Sequence, residues 1–343
     1  MLTFSRRRPV TLSGFRTRAT SRDTPCSSRY GPHFSRKPSP GDIHTPCAWD
    51  AAPLVLEGHP YPVLVFSHGL GGCRTTYTTF CLEMASRGIV VAALEHRDYS
   101  ACMTFYFESQ EGEEKMNKRW MLFKKVKSGK GEFAIRNQQV HQRARECSRA
   151  LDMLSDLTCG LPVHNVLATS SLRLDAFAGL LDIDRACAAG HSFGGATVIA
   201  AMAEDKRFKA GLGLDTWMLP LREETSVFAH VEQPMLFVNM EKFQTKENLR
   251  VMKQVQTQSP LKKVVTLRGT VHLNQCDVPF LCDGTMRRMF GASSRLNRFT
   301  AMQLTTNLCG AFLSKHIDIP TDAKYTTHIQ QHSSVIQEGI TSV

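Results

Sequence analysis

From Pro62 onward, short apolar runs alternate with longer segments of helical character. That alternation is the pattern of a mostly parallel sheet with helices on both faces. The runs Val63–Ser67, Ile89–Leu94, Arg185–Ala189, Lys209–Leu214, Met235–Asn239 and Lys262–Leu267 read as strands. Helices are expected over Thr76–Arg87, Asn137–Leu157, Phe193–Glu204, Lys246–Gln256 and Thr300–Lys315. A charged insertion, Tyr99 to Glu132, separates the second strand from the long second helix. The stretch Ala186–Ala189 is apolar but alanine-rich, a weak strand former on propensity alone. No repeat is evident, and no run of about 18 apolar residues could cross a bilayer.

The first 50 residues break the pattern. They are rich in Arg, Ser, Thr and Pro, with few aliphatics and no period of either kind, so the segment 1–55 is expected to be disordered. Its arginine-rich, acid-poor character also fits a mitochondrial leader, although Pro9, Gly14 and Pro25 oppose an amphipathic helix there. Residues 56–320 then form the folded domain, and 321–343 a C-terminal tail. The net charge of +11 looks like a nucleic-acid signal until it is located. Residues 1–50 hold nine Lys or Arg against three acids, which leaves an ordinary +5 for the remainder. No nucleic-acid partner is expected. Eleven cysteines, from Cys26 to Cys309, show no Cys-x-x-Cys pair and no regular spacing. They read as free thiols of a reducing compartment. With no apolar leader, a cytoplasmic location is expected, peripheral at membranes. No metal-ligand spacing such as His-Glu-x-x-His occurs, so neither metal nor cofactor is expected.

The chemistry concentrates in Gly190-His191-Ser192-Phe193-Gly194, a Gly-x-Ser-x-Gly that follows a strand and opens an apolar helix. Such an elbow needs glycines because side chains two positions either side of the nucleophile would collide. A serine hydroxyl also needs an adjacent base and a carboxylate to orient it. In α/β-hydrolases these follow in the order serine, acid, histidine. Asp215 stands just past a strand and His272 in the loop after the last strong one, so both are favoured. Glu204, Asp205 and Asp277 remain alternative acids, and His230 and His316 alternative histidines. The glycine-rich loop after Val63–Ser67, Ser67-His68-Gly69-Leu70-Gly71-Gly72, can supply an oxyanion donor. Leu70 is expected to give one N–H and Phe193 the other. The fold class expected is therefore an α/β-hydrolase, with Ser192, Asp215 and His272 as triad and Gly190 and Gly194 framing the elbow.

The segments "PVLVFSHGLGG", "ASRGIVVAALEHRDYSA", "IRNQQVHQRARECSRAL", "GHSFGGATVIAA", "LDTWMLPL", "MEKFQT" and "TLRGTVH" resemble the platelet-activating factor acetylhydrolases of the plasma and intracellular type II kind. The likeness runs in register over about residues 60 to 325, and "MEKFQT" looks more like the intracellular branch. It implies a calcium-independent esterase that removes short or oxidised sn-2 acyl groups from phospholipids, with its triad on Ser192, Asp215 and His272 and its oxyanion donors on Leu70 and Phe193. Two departures accompany it. The family has further strands and an apolar membrane-touching helix before the "FSHGL" strand, so N-terminal strands are expected to be lacking here. Position 2 is Leu, so the myristoylation that the intracellular branch implies is not expected here. Transient membrane contact then falls to Trp120–Lys127 or to Met286–Phe290. The triad alone leaves open a general carboxylesterase of the same fold, or a catalytically impaired, truncated copy that binds lipid.

Overall fold

The computed structural model describes residues 2–3, 16–17, 43–44, 47–108, 117–129, 131–163, 165 and 172–340. Three two-residue strands come first, β1 (Leu2–Thr3), β2 (Arg16–Thr17) and β3 (Ile43–His44). The chain then runs through β4 (Tyr61–Ser67), α1 (Thr78–Ala85), β5 (Val90–Ala93), β6 (Met103–Glu108), β7 (Asn117–Leu122) and α2 (Glu132–Thr158). Next come β8 (Leu181–His191), α3 (Phe193–Glu204), β9 (Ala210–Leu214), α4 (Thr225–Ala229), β10 (Met235–Met240), α5 (Lys246–Gln256) and β11 (Lys262–Leu267). It ends with α6 (Val278–Leu281), α7 (Gly284–Met289), α8 (Arg298–Ile317), α9 (Ala323–Gln331) and β12 (Ile336–Glu338).

One sheet organises these elements, in the order β1-β5-β4-β8-β9-β10-β11-β12. The six strands from β5 to β11 are parallel, and β1 and β12 add antiparallel edges. Period-two alternation sends neighbouring side chains of β4 to opposite faces. Val63 and Val65 join the apolar layer under α2, α3 and α5, whereas Leu64 and Phe66 join the layer under α1 and α8. The alanine-rich β8 holds because it is central: Ala186, Cys187, Ala188 and Ala189 are buried between β4 and β9, and small side chains let the covering helices approach. Helix α3 is buried from Phe193 through Met202, which explains its lack of a polar face.

Several elements differ from the sequence expectation. Helix α2 begins at Glu132 rather than Asn137, after Gly131 in the left-handed region, with Glu132 in its first turn. The charged insertion holds the hairpin β6–β7. Most of 1–55, read as disordered, lies outside the described residues, yet the sheet edge beside β5 carries β1. The segment 321–343, set apart as a tail, holds α9 and the edge strand β12, which pairs with Val265–Leu267 of β11. Arg87 stacks on Tyr325 of α9 at 4.4 Å. Among the described residues, no helix is long and apolar enough to cross a membrane.

Helix α1 has no cap from its own preceding residue. Its first amides are met from far along the chain: Asp277 accepts from the N–H of Thr78 at 2.7 Å and of Thr79 at 3.1 Å. The carboxylate therefore ties the segment after His272 to the helix that follows the glycine loop. Asp277→Ala should lower unfolding stability by about 1–3 kcal/mol, since it strands two amides at a buried helix end. Urea unfolding measures this, and an unchanged midpoint would remove Asp277 from the cap.

Candidate active site

The C-terminal ends of β4, β8, β9 and β11 meet at one edge of the sheet. There the chain leaves β4 toward β5 on one side and β8 on the other, the crevice where open α/β sheets bind ligands. Ser192 stands between β8 and α3 with φ 56° and ψ −114°, a conformation a serine adopts only when its surroundings enforce it. Packing does so. A Cβ on Gly194 would lie 2.0 Å from the Ser67 carbonyl oxygen, and one on Gly190 would lie 2.2 Å from that of Gly194. The backbone of the elbow is held by Ser192 N–H to Leu214 O at 2.8 Å and by Trp217 N–H to Ser192 O at 3.0 Å.

Asp215 follows β9, fully buried, with φ 46°. Its Oδ2 lies 2.6 Å from Nδ1 of His272, and its Oδ1 accepts from the Met240 N–H at 2.8 Å and from Gln244 Nε2 at 2.5 Å. Burial raises the Asp215 carboxyl, while the Met240 and Gln244 donors and the nearby His191 oppose that shift. Burial lowers His272. The arrangement that uses every donor is an ionised Asp215 and a neutral His272 carrying its proton on Nδ1. Nε2 then has the lone pair that a general base needs. The imidazole is fixed on both sides: Phe243 stacks on it at 3.7 Å between centroids, and His191 lies 4.4 Å away on centroids.

The glycine loop presents a second set of backbone donors. Gly69 N–H is bonded to Tyr77 Oη, Gly71 N–H to Ser100 O and Gly72 N–H to Gly69 O. Among the described residues, the amide of Leu70 has no such acceptor, and that of Phe193 opens α3. Those are the two N–H groups that the oxyanion reading requires. A relay joins this loop to the base. Gly69 donates to Tyr77 Oη at 3.0 Å, Tyr77 donates to His191 Nδ1 at 2.9 Å, and His191 Nε2 lies 3.2 Å from the His272 carbonyl. Burial lowers His191, in keeping with a neutral ring donating from Nε2.

Ligating atoms of His191, Asp215 and His272 all lie within 4.8 Å of one another, a spacing that a metal could use. The lone pairs of two of the three are already committed, however: His191 Nδ1 to Tyr77 and Asp215 to Met240, Gln244 and His272. A second serine–histidine–carboxylate chain also exists. Ser67 Oγ lies 2.7 Å from His96 Nε2, and His96 Nδ1 lies 2.6 Å from Glu146. Ser67 is fully buried within β4, so no substrate can approach it. Exposure and the elbow separate the two, not hydrogen-bond length.

The sequence-selected residues Ser192, Asp215, His272, Leu70, Phe193, Gly190 and Gly194 thus cluster at one edge. The alternatives do not join them. Asp277 caps α1, Asp205 pairs with Arg207, Glu204 pairs with His141, and His316 packs on Phe312. His230 closes α4. Sequence reasoning did not find Tyr77, His191, Phe243 or Gln244. His191 carried a local signal as the residue before the serine, and Phe243 and Gln244 lie in the "MEKFQT" segment, where no role was read for them.

The model of the family described as "Platelet-activating factor acetylhydrolase, isoform II" matches residues 35–335. The chain is 40% identical over 282 residues to a platelet-activating factor acetylhydrolase of Canis lupus familiaris, covering 82% of this chain and 62% of that protein. To its namesake in Gallus gallus it is 37% identical over 289 residues, covering 82% and 68%. The chain therefore spans less than two thirds of the dog relative's length. Among solved structures, a ferulic acid esterase from Streptomyces cinnamoneus superposes with a TM-score of 0.54 at 21% identity, covering 82% of this chain and 74% of that one. That likeness speaks for the fold alone, an α/β-hydrolase.

Asp215→Asn keeps the shape of the acid but reverses a donor and an acceptor, so His272 loses the tautomer that leaves Nε2 unprotonated. Turnover of an activated ester such as p-nitrophenyl acetate should fall roughly 10⁴-fold in kcat with KM little changed. A loss under tenfold would remove Asp215 from the orienting role.

Proposed function

The chain belongs to the platelet-activating factor acetylhydrolase isoform II family, and from that premise we propose a calcium-independent serine esterase that cleaves short or oxidised sn-2 acyl groups from phospholipids. The observation that carries this reading is the 2.6 Å contact between Asp215 and His272 beside a strained Ser192. In the proposed cycle His272 Nε2 takes the Ser192 proton as Oγ attacks the ester carbonyl. The Leu70 and Phe193 N–H groups receive the developing oxyanion. The oxygen of the departing lysophospholipid takes that proton from His272. Water, deprotonated in turn by His272, then attacks the acyl carbonyl, and Ser192 Oγ leaves with that proton from His272 as the acid is released. Every proton moves through one ring nitrogen, and no step calls for a metal.

Two features bear on the substrate. A cavity of about 180 Å³ lies on the far side of the candidate site from the glycine loop, lined by Trp217, Met218, Leu219, Phe243 and Val251 with Arg222, Thr245, Glu247 and Asn248, and it meets the site through Phe243, which stacks on His272. It is smaller than the roughly 300–1,000 Å³ of a pocket for a drug-sized ligand, which favours a short acyl chain. Apolar side chains also stand exposed beside basic ones in two places. On and around α7 these are Leu281, Met286, Met289 and Phe290, with Arg287 and Arg288; on the β6–β7 hairpin they are Trp120, Leu122 and Phe123, with Lys124 and Lys125. Both suit transient contact with an anionic membrane surface. A reducing, cytoplasmic setting accords with the ten free cysteines among the described residues.

A fluorophosphonate probe should label the full chain and fail on Ser192→Ala, and ester hydrolysis should survive EDTA. Label retained on Ser192→Ala would place the nucleophile elsewhere, and EDTA inhibition reversed by calcium would defeat the metal-free cycle. An sn-2 acetyl phospholipid should be cleaved far faster than its palmitoyl counterpart in vesicles. Withdrawing a long chain from the bilayer costs about 0.8 kcal/mol per CH₂, about 10 kcal/mol over a dozen. Equal kcat/KM for the two lipids would favour a general carboxylesterase instead.

A further inference from the structure

Among the described residues Arg143 is the largest fully buried side chain, and it serves neither the triad nor the cavity. It projects from α2 into the space behind the glycine loop, where each part of its guanidinium is used. Nε donates to Asp98 Oδ2 at 2.8 Å, Nη1 donates to the carbonyl of His68 at 2.7 Å, and Nη2 donates to the Ser100 hydroxyl. Its flat face lies 4.2 Å from the ring centroid of Phe193. Asp98 is itself held. Its Oδ1 accepts from Ser100 N–H at 3.1 Å and Ser100 Oγ at 2.5 Å, and its carbonyl accepts from Gln139 at 2.6 Å.

These contacts bracket the loop. His68 precedes Leu70 by two residues, and its carbonyl is bonded directly to Arg143. Gly71 follows Leu70, and its N–H donates to the carbonyl of Ser100, the residue whose hydroxyl Arg143 also holds. The peptide that carries the Leu70 N–H is thus pinned on both sides by one guanidinium. The same group supports the Phe193 ring from one face, while Trp217 meets that ring edge-on at 5.7 Å.

We propose that Arg143 is the positioning residue of the oxyanion hole, fixing the two backbone segments that carry its donors relative to each other. The inference rests on the reading of Leu70 and Phe193 as those donors. A planar fork suits the task because a single group must satisfy a carboxylate, a carbonyl and a hydroxyl while stacking on a ring. A buried ion pair is a poor source of net stability, since desolvation consumes most of the attraction, whereas it fixes geometry well. The surroundings agree. Burial alone would raise the Asp98 carboxyl, but the Arg143 guanidinium, with His96 and the Ser100 hydroxyl, overcomes it and brings Asp98 to about 2. Burial and the Arg143 charge together lower His68 and His96, so the rings beside the Arg143–Asp98 pair favour the neutral form.

The test uses the full chain with Arg143→Met, with Arg143→Met/Asp98→Asn, which leaves no buried charge unpaired, and with Arg143→Lys. Thermal midpoints are recorded, and kcat and KM for an acetyl ester are expressed per site titrated to completion with fluorophosphonate. The inhibition constant of an alkyl trifluoromethyl ketone, whose adduct on Ser192 is an oxyanion, is measured beside them. The double variant should stay folded and lose roughly 10²-fold in kcat with KM within about threefold, because displaced donors act only on the oxyanion. The ketone should weaken in step with kcat/KM. Arg143→Lys should recover only part of the loss, since one nitrogen cannot reach all three partners. A folded double variant with kcat within threefold of the parent would overturn the proposal. So would a kcat loss with unchanged ketone affinity, or full activity in Arg143→Lys. A parent that hydrolyses ester and labels on Ser192 while the Arg143 variants are indifferent sinks this inference alone. A parent that neither labels nor turns over sinks the proposed function and the Arg143 assignment together.

Discussion

The contact on which the rest depends is backbone against backbone: the first turn of α3 pressed on the end of β4. A methyl group at Gly194 would sit 2.0 Å from the Ser67 carbonyl oxygen, and Gly195 is similarly crowded, with a Cβ 2.3 Å from Thr216 Oγ1. Only glycine permits this approach. Because α3 comes so close, Ser192 is forced into its positive φ and its N-terminal amides face the loop that follows the same strand. On the proposed function, this contact brings the nucleophile and the two segments that carry the oxyanion donors together. The helix end also contributes its partial positive charge where negative charge would develop.

This explains what could be read from the chain directly. The elbow is local: its glycines, its serine and its apolar helix are consecutive, so the chemistry that requires them is written in six residues. Asp215 and His272 were legible at the next level, because parallel sheets collect strand ends at one edge and the chain order of the triad follows from that. Tyr77, Phe243, Gln244 and Arg143 were not legible, since each acts through a partner distant in sequence; His191 answers Tyr77 across 114 positions. Nothing in the composition around Tyr77 distinguishes it from any other buried tyrosine. The fold shows the same division. Strands with strong β-branched content were placed to within a residue or two, whereas β12 has three residues and follows a helix without a buried face. Pairing with β11 creates it, and pairing is not a local property.

The pair of serine–histidine–carboxylate chains shows why geometry at the level of side-chain distances does not by itself define a site. Ser67, His96 and Glu146 are as well aligned as Asp215 and His272, yet they lie where no ester could reach them. Burial lowers His96 and the Glu146 hydrogen bond supports its ring, so the set behaves as a satisfied polar core between β4 and α2. Its function is structural. It fills the space behind the glycine loop with groups whose hydrogen bonds have one good solution.

That space is otherwise an unusual place for so many polar groups. Arg143, Asp98, Ser100, His68, His96, Gln139 and Arg136 are all buried within or beside it, and an apolar core of the same volume would avoid their desolvation. A purely apolar filling, however, constrains a glycine loop weakly, because glycines offer no side chains to pack. Apart from Leu70, which packs against the core, the loop Gly69-Leu70-Gly71-Gly72 has no side chain to anchor it, and its backbone groups are held by hydrogen bonds. The glycines that let the loop approach the substrate therefore create the need for a polar layer behind it. The buried ion pair follows from the composition of the loop, and the two are best understood as one device.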